Sequence, residues 1–347
     1  MSVARKVRVL IVDDSAFMRS MLKRVVEKDP RFEVVDMATD GKEGVEKTKS
    51  LRPDVVTMDI EMPVMTGLDA LEQIMTTCPT PVVMLSTLTE QGARVTLEAL
   101  DKGAVDFLPK ALKDARRNVF QASAILHEKL YAASQASVRP AAPSVVAKPV
   151  VSSINNFRKA EIAVIGSSTG GPKALQEVIS QLPANLRVPV VIAQHMPAEF
   201  TGALAKRLNE TSSLTVKELV KGEAIQAGCV YIAPGGLHTR VIRGGAGFCV
   251  DTAPDSGESL FKPSVEVLGQ SVENIFSDKV LAVMLTGMGS DGAQSFTSLK
   301  NKGAHVIVQD EATSTVYGMP RSVVELGGAT EILPLSQIAA RVASLLS

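Results

Sequence analysis

Tryptophan is absent from this chain, and aromatic residues make up only 4% of its 347 residues. The three cysteines, Cys78, Cys229 and Cys249, are too few and odd in number for a disulfide framework, and no two have metal-site spacing. No apolar run is long enough to span a membrane, and residues 1–8 lack the apolar core of a signal peptide. These absences predict a cytoplasmic protein with free thiols and no direct membrane insertion.

An excess of charge is also missing, because 37 Lys and Arg residues balance 37 Asp and Glu residues. Nucleic-acid-binding domains usually carry a basic excess, so we expect no nucleic-acid partner. Valine, isoleucine, leucine and alanine are abundant, which is typical of the buried strands of a parallel sheet. The length allows two domains with sizeable cores.

Strand and helix patterns alternate through the first part of the chain. Short apolar runs predict strands at Val7–Val12 and at residues 32–37, 54–58, 81–85 and 104–108, with helical spacing between them. This alternation predicts a doubly wound parallel sheet. A helical stretch over 111–133 closes the first domain, which we place at residues 1–130.

A segment rich in proline, serine and alanine interrupts the alternation and predicts a linker over residues 131–157. Alternation resumes in the second predicted domain, residues 158–347, with buried strands at 161–165, 189–193, 280–285 and 304–308. Short Val and Ile runs separated by Gly and Pro over 214–250 predict hairpins at a sheet edge. The fold class is therefore α/β, with two doubly wound, mainly parallel-sheet domains, the larger one carrying an edge hairpin region.

Carboxylates follow two strands of the first domain, Asp13 and Asp14 after the first strand and Asp59 after the third. These strand ends flank the switch point of such a sheet, where ligands bind. Three carboxylates repel one another unless a cation lies among them, and oxygen ligands suit Mg²⁺. Thr87 and Lys110 end the fourth and fifth strands, so the set predicts a site for a phosphoryl group on an aspartate. Each Asp taken alone is better explained as solvated turn chemistry, but the five groups at strand ends together favour the phosphoryl site.

Three segments of this domain resemble the receiver domain of bacterial response regulators: Val12-Asp13-Asp14-Ser15, Met58-Asp59-Ile60-Glu61-Met62-Pro63-Val64-Met65-Thr66-Gly67 and Asp106-Phe107-Leu108-Pro109-Lys110. The resemblance covers about residues 6–130 and implies a flavodoxin-like fold in which a histidine kinase is the phosphodonor for Asp59. The site residues it implies are Asp13, Asp14, Asp59 and the carbonyl of Glu61 for Mg²⁺, Thr87 and Phe107 as the switch pair, and Lys110 at the phosphoryl group. The family usually has Pro after this Lys, where this chain has Ala111.

A Gly-rich turn, Gly166-Ser167-Ser168-Thr169-Gly170, follows a strand and precedes a helical pattern in the second domain. In this context the G-x-S-x-G pattern is a candidate nucleophile elbow, which would hold Ser168 at the carboxyl end of the sheet. The alternatives are a phosphate-cradling loop and a plain strand-to-helix turn.

A nucleophilic serine needs a base, usually a histidine that is oriented by a carboxylate. His127 lies in the helix before the linker and His305 lies inside an apolar strand, which leaves His195 and His238. Its position at the carboxyl end of a strand favours His195. The favoured carboxylate is that of Asp291, in a Gly-rich turn after a strand, and its weaker alternatives are Asp251 and Asp310.

The second domain also resembles a known family, the catalytic domain of chemotaxis protein-glutamate methylesterases. The segments that carry the resemblance are Ile165–Gly171, Gln194-His195-Met196-Pro197, Ala233–His238, Leu285–Ala293 and Gln309–Pro320. It implies hydrolysis of glutamate γ-methyl esters on methylated chemoreceptor cytoplasmic domains, and the same chemistry would deamidate receptor glutamines. The roles it implies are Ser168 as nucleophile, His195 as base, Asp291 as its orienter, and Met288 with Thr169 as oxyanion donors. The family usually has Asn where this chain has Ser290.

No cofactor is implied for the ester chemistry, and the receiver implies activation by phosphorylation. A transcriptional regulator is one alternative, but it would need a basic helical output domain. A nucleotide-binding module is another, although neither G-x-G-x-x-G nor a P-loop Lys-Ser/Thr pair is present in the Gly-rich turn. A catalytically silent output module that binds a chemosensory partner is the third.

Overall fold

The computed structural model describes residues 5–110, 119–136, 160–245, 247–254 and 261–346. The chain divides into two compact units, Met1–Ala142 and Pro143–Ser347. The described part of the predicted linker, residues 131–136, begins as helix, because the last helix of the first unit runs to Ser134. Residues 137–157, and Ala111 after Lys110, lie outside the described residues.

Strands and helices alternate throughout the described part of the first unit. Its elements are β1 (Val7–Val12), α1 (Ala16–Val26), β2 (Phe32–Ala38), α2 (Gly41–Leu51), β3 (Val55–Asp59), α3 (Gly67–Thr77), β4 (Val82–Ser86), α4 (Glu90–Asp101), β5 (Asp106–Pro109) and α5 (Val119–Ser134). Within the described residues the strands form one parallel sheet in the order β2-β1-β3-β4-β5. The switch point between β1 and β3 therefore lies where the sequence predicts it.

Burial and capping explain these elements. The strands β3 and β4 are buried along their whole length, as apolar strands covered by helices on both faces must be. Four helices begin at a side chain that accepts a hydrogen bond from the first turn: Ser15, Asp40, Thr66 and Thr89. The fifth strand begins at Asp106 rather than at residue 104, because pairing with β4 starts at Asp106 opposite Val83.

The second unit is a larger α/β structure. Its elements are β6 (Ile162–Ser167), α6 (Gly171–Ser180), β7 (Val190–Gln194), α7 (Ala198–Thr211), β8 (Thr215–Glu218), β9 (Cys229–Ile232), β10 (His238–Gly244), β11 (Gly247–Ala253), α8 (Val265–Phe276), β12 (Val280–Met284), α9 (Ala293–Asn301), β13 (His305–Gln309), α10 (Met319–Glu325), β14 (Glu331–Leu333) and α11 (Leu335–Leu346). Its main sheet, in the described residues, is parallel with the order β14-β13-β12-β6-β7-β9-β8. The fold class is confirmed as two parallel-sheet α/β units.

The edge region differs in detail from the sequence prediction. Residues 238–253 do form an antiparallel hairpin, β10 with β11, but it is a separate two-stranded sheet. The strands β8 and β9 instead pair in parallel and extend the main sheet. The chain between these strands is too long for a tight hairpin. It turns at Gly222 and Gly228, both with positive φ, and returns to the starting end of β8, so that β9 runs parallel to β8.

The strand order of the main sheet identifies one position at which ligand binding is favoured. From β6 the chain builds outward through β7 to one edge, and later through β12 and β13 to the other edge. The direction of winding therefore reverses between β6 and β12, and the carboxyl ends of these strands and of β7 meet there. No helix in the described part of the chain is both long and apolar enough to cross a membrane.

A buried charged cluster in this unit makes its stability depend on pH. His305 Nε2 lies 2.9 Å from Glu331 Oε1, and Arg341 donates hydrogen bonds to the same carboxylate. Burial lowers the pKa of His305. The Glu331 carboxylate acts to raise that pKa, but the charge of Arg341 lowers it further, and the net effect is a lowered pKa. Burial acts to raise the pKa of Glu331, but hydrogen bonds from Arg341 and His305 outweigh it and leave that pKa lowered.

We expect the second unit to lose stability as the pH falls below about 6.5, the ordinary pKa of histidine. Below that pH the unfolded chain takes up a proton that folded His305 resists, so unfolding is favoured. Protonation of Glu331, whose pKa is lowered, removes further stability at still lower pH. Calorimetry of the full chain between pH 7.5 and 5 measures this effect. His305→Asn should flatten the decline, and an equal decline in that variant would contradict the assignment.

Candidate functional sites

Ser168 lies in a tight turn directly after β6, at the reversal point of the main sheet. It is 3% exposed, and its amide donates to the Thr286 carbonyl at 3.0 Å. The turn closes when the Gly171 amide donates to the Ser168 carbonyl at 2.8 Å. Gly170 has φ +76°, a conformation that favours glycine, and a Cβ there would meet the Thr315 side chain. The G-x-S-x-G pattern therefore forms a strand–turn–helix elbow.

His195 and Asp291 form a hydrogen-bonded pair in the same unit. The ring Nε2 of His195 lies 2.7 Å from Asp291 Oδ2, and the His195 side chain is buried. The other ring nitrogen, Nδ1, is buried without a hydrogen-bond partner among the described residues. Phe261 stacks on the imidazole, with ring centroids 4.3 Å apart and planes 5° from parallel. The imidazole is thus held at one nitrogen and on one face, and Nδ1 remains able to accept a proton.

The carboxylate of Asp291 is held at the beginning of α8. Ser264, the N-cap of that helix, donates its hydroxyl to Oδ1 at 2.8 Å, and the amides of Val265 and Glu266 donate at 2.6 and 3.1 Å. Burial alone would raise the pKa of Asp291, but the hydrogen bonds from His195, Ser264 and Val265 outweigh it and lower that pKa. Asp291 is therefore an anion at neutral pH, suited to orient and stabilise a protonated imidazole.

The loop after β12 runs close against the Ser168 turn. A Cβ added at Gly287 would lie 2.9 Å from Ser168 Cβ, so only glycine allows this approach. The next amide, that of Met288, has no acceptor within the described residues. Thr286 ties the loop to the turn, because its hydroxyl donates to the Thr169 carbonyl at 2.9 Å. The loop thus brings its backbone close to the Ser168 turn, and the role of the Met288 amide as an oxyanion donor stays a prediction.

The alternatives named from the sequence lie elsewhere or have other partners. His238 begins β10, where its backbone pairs with Ala253 in the hairpin. Asp310 accepts hydrogen bonds from the amide and hydroxyl of Thr313, three residues later. Asp251 pairs with Lys221 at 3.2 Å. Of the two candidate histidines, it is His195 that forms a hydrogen bond with Asp291.

Three residues that support this arrangement were not found from the sequence: Gln194, Phe261 and Ser264. Ser264 before an apolar run signals a helix start, but nothing local indicates that Asp291 lies there. Phe261 carries no signal of its own. Gln194 forms part of the Gln-His-Met-Pro segment, so the motif contained it without indicating its contacts.

The acidic side chains of the first unit converge at the carboxyl ends of β1 and β3. One carboxylate oxygen from each of Asp13, Asp14 and Asp59 lies within 4.8 Å of the others. Oδ2 of Asp13 and Oδ2 of Asp59 are both buried. The Lys110 ammonium approaches both, 3.6 Å from Asp13 and in close contact with Asp59. Three converging carboxylates with Lys110 as their one ion-pair partner among the described residues fit the ligand preference of Mg²⁺.

The remaining predicted receiver residues surround Asp59. Burial raises the pKa of the Asp59 carboxyl, and Asp13 adds to this although Lys110 opposes it. The Glu61 amide donates to Asp59 Oδ1 at 3.3 Å, and Thr87 lines a small pocket together with Asp59. Phe107 is buried, and Lys129 of α5 donates to its carbonyl at 3.0 Å. An added cation would relieve the cost of ionising the buried carboxylates.

We expect Mg²⁺ to raise the unfolding temperature of the first unit. A ligand at ten times its Kd stabilises the folded state by about 1.4 kcal/mol, because it binds that state alone. Asp13→Asn should remove most of this gain. The control Asp36→Asn, whose carboxylate pairs with Lys47 away from the site, should retain it. Equal stabilisation of both variants in thermal unfolding with and without Mg²⁺ would argue against the site.

Both units match families of known proteins. Residues 9–118 match the family described as response regulator receiver domain, and residues 163–342 match that described as CheB methylesterase. A protein-glutamate methylesterase/protein-glutamine glutaminase of Geobacter sulfurreducens is 45% identical, over 98% of this chain and 98% of its own. One of Vibrio parahaemolyticus is 43% identical, over 96% and 97%. The crystal structure of the Thermotoga maritima CheB methylesterase catalytic domain is 40% identical, with a TM-score of 0.52, covering 54% of this chain and all of that one.

The fold and these matches define the class as a response regulator whose second unit is a methylesterase domain built on a parallel α/β sheet. The chain belongs to the CheB methylesterase family and carries that family's receiver domain. Both resemblances stated from the sequence motifs are thereby confirmed.

Proposed function

We propose that this protein hydrolyses γ-methyl esters of glutamate on chemoreceptor cytoplasmic domains, and glutamine side-chain amides on the same domains, at a rate raised by phosphorylation of Asp59. The substrate class follows the names of the relatives, which are 43–45% identical over nearly the whole chain. The observation that carries the chemistry is the His195–Asp291 hydrogen bond beside Ser168, at the carboxyl ends of β6 and β7.

In the first half of the reaction His195 accepts the Ser168 proton at Nδ1, the ring nitrogen left without a partner among the described residues. The serine oxygen attacks the ester carbonyl, and Asp291 stabilises the imidazolium through Nε2. The Met288 amide, with Thr169, donates to the oxyanion. The imidazolium returns its proton to the leaving oxygen, so methanol departs and a glutamyl-serine ester remains.

The second half of the reaction repeats these steps with water. His195 takes a proton from water, the hydroxide attacks the glutamyl-serine ester, and the imidazolium returns that proton to the Ser168 oxygen as glutamate leaves. With a glutamine substrate the first leaving group is ammonia, and the second half is unchanged. The same residues therefore serve both the esterase and the amidase reaction without a cofactor.

The first unit supplies the control. Asp59 receives the phosphoryl group from a histidine kinase, and Asp13, Asp14 and the Glu61 carbonyl are the residues that would hold Mg²⁺ beside it. When bound, Mg²⁺ neutralises charge on the transferring phosphoryl group. Lys110 would pair with a phosphoryl oxygen, and Thr87 and Phe107 would respond to its presence.

The test of this function is methanol release from methylated receptor membranes, with and without a small-molecule phosphodonor and Mg²⁺. We expect release by the wild-type protein and a clear increase with the phosphodonor. Asp59→Asn should keep the unstimulated rate and lose the increase, because it has no carboxylate to phosphorylate. Absence of release by the wild type under both conditions would exclude the proposed activity. An undiminished increase in Asp59→Asn would exclude only the proposed control.

A further inference from the structure

Gln194, the last residue of β7, makes three hydrogen bonds that join the two turns carrying Ser168 and His195. It is 2% exposed. Its carbonyl oxygen Oε1 accepts from the Ser167 hydroxyl at 2.6 Å. Its Nε2 donates to the Ser168 carbonyl at 2.9 Å and to the His195 carbonyl at 3.1 Å. One side chain thus bonds to the backbone of both residues to which we assign the proton transfer.

The position of Gln194 explains why such a link is needed. The strands β6 and β7 pair in register as far as Ser167 opposite Gln194, and the His195 amide donates to the Ser167 carbonyl at 3.0 Å. Beyond this pair the two chains leave the sheet, so the carbonyls of Ser168 and His195 have no strand ladder to join. The two N–H groups of a primary amide can serve both carbonyls at once, which a carboxylate or a hydroxyl cannot do.

The surrounding backbone leaves space for this amide. A Cβ on Gly171 would lie 2.0 Å from Gln194 Oε1, so residue 171 must be glycine while the amide occupies its place. The Gly171 amide also donates to the Ser168 carbonyl, which therefore accepts two hydrogen bonds. The Ser168 turn is tied both to its own helix and to the strand that carries His195.

We propose that Gln194 is a positioning residue that sets the placement of Ser168 relative to His195. Its hydrogen bonds are to the Ser167 hydroxyl and to the backbone carbonyls of Ser168 and His195, so it acts through the residues that react. The inference rests on the proposed function for the reaction that it serves. Because displacement of reacting groups by about 1 Å costs about 100-fold in rate, loss of this link should lower kcat by ~10- to 100-fold and leave KM nearly unchanged.

The variants are Gln194→Met, which keeps the length of the side chain without its donors, and Gln194→Glu, which sets a carboxylate against two carbonyl oxygens. The matched control is Ser271→Ala. Ser271 is also partly buried and joins two backbone groups, the Val241 amide and the Leu268 carbonyl, outside the candidate active site. We expect both Gln194 variants to react ~10- to 100-fold more slowly with a fluorophosphonate at Ser168, and the control to react at the wild-type rate.

Hydrogen exchange of the full chain gives a readout that does not require turnover. In Gln194→Met the amides of Gly171 and His195 should exchange faster than in the wild type, because the turns they close are no longer tied together. The control should leave those amides unchanged. Unchanged exchange in the variant, or unchanged labelling of Ser168, would overturn the proposal. So would a wild-type Ser168 that does not react with the fluorophosphonate.

These readouts separate the two proposals. Slower labelling and faster exchange in the Gln194 variants, together with no methanol release by the wild type, would support the positioning role and reject the receptor substrate. Normal methanol release with labelling rates that do not depend on residue 194 would support the substrate and reject the positioning role.

Discussion

Ser168→Ala should reduce methanol release from methylated receptors by on the order of 10⁵- to 10⁶-fold, which is the range for removal of the nucleophile in serine hydrolases. The alanine has no oxygen to form the glutamyl-serine ester, while the fold around it changes little. In the described residues the hydrogen bonds that hold the Ser168 turn are made by backbone atoms and by the side chains of Gln194 and Thr286, so the loss of the Ser168 Oγ breaks none of them.

The measurement is methanol release by phosphodonor-treated full chain at saturating receptor. Ser290→Ala is the matched control, because Ser290 is an exposed serine in the loop that leads to Asp291. We expect that variant to stay within a few-fold of wild type. If Ser168→Ala retained a tenth of the wild-type rate, Ser168 could not be the nucleophile, and the Gly-rich turn would have another purpose.

Asp291→Asn should lower the rate by about 10⁴-fold, the cost of the corresponding change in serine hydrolases. If the asparagine turns its NH₂ group toward His195 Nε2, it donates a hydrogen bond at the place where Asp291 accepts one. The ring proton then moves to Nδ1, which can no longer take the proton of Ser168. The imidazolium formed in the reaction also loses the anion that stabilises it.

The control for this variant is Ser264→Ala, which removes a hydrogen bond to Oδ1 of Asp291 and leaves the bond between Oδ2 and His195. We expect its rate to fall by about 10-fold, the lower end of the scale of one hydrogen bond to a charged group, because two backbone amides still hold the carboxylate. Thermal unfolding of both variants shows whether the α8 N-terminus stays intact. An Asp291→Asn enzyme within ten-fold of wild type would mean that another group orients His195.

Composition and local sequence pattern were sufficient to predict the fold class and the family of this protein. Apolar runs such as Val7–Val12 and 280–285 are buried on both faces of parallel sheets, and only such runs tolerate that burial. The α/β fold class was predicted from their alternation with helical spacing and is confirmed. Short motifs at strand ends identified the family, which the comparisons confirm. The roles of individual site residues stay predictions, now with a defined geometry.

Several decisions depended on tertiary structure. The sequence favoured His195 over His238 by position alone. In the folded chain His195 forms a hydrogen bond with Asp291, whereas His238 begins a separate hairpin. Strands β8 and β9 were expected in hairpins, yet they pair in parallel, because the long connection between them returns the chain and the apolar pattern does not specify strand direction.

The sequence by itself determined the order of strands and helices, the two unit types and the set of reactive side chains, because these depend on local apolar spacing and on residue type. Only the tertiary structure decided that Asp291 lies on the N-terminus of α8, 25 to 27 residues earlier in the chain, and that Gln194 joins the Ser168 and His195 turns. The physical reason is that hydrogen bonds between distant segments leave no periodic trace in either segment. They arise only when the sheet has brought its strand ends together.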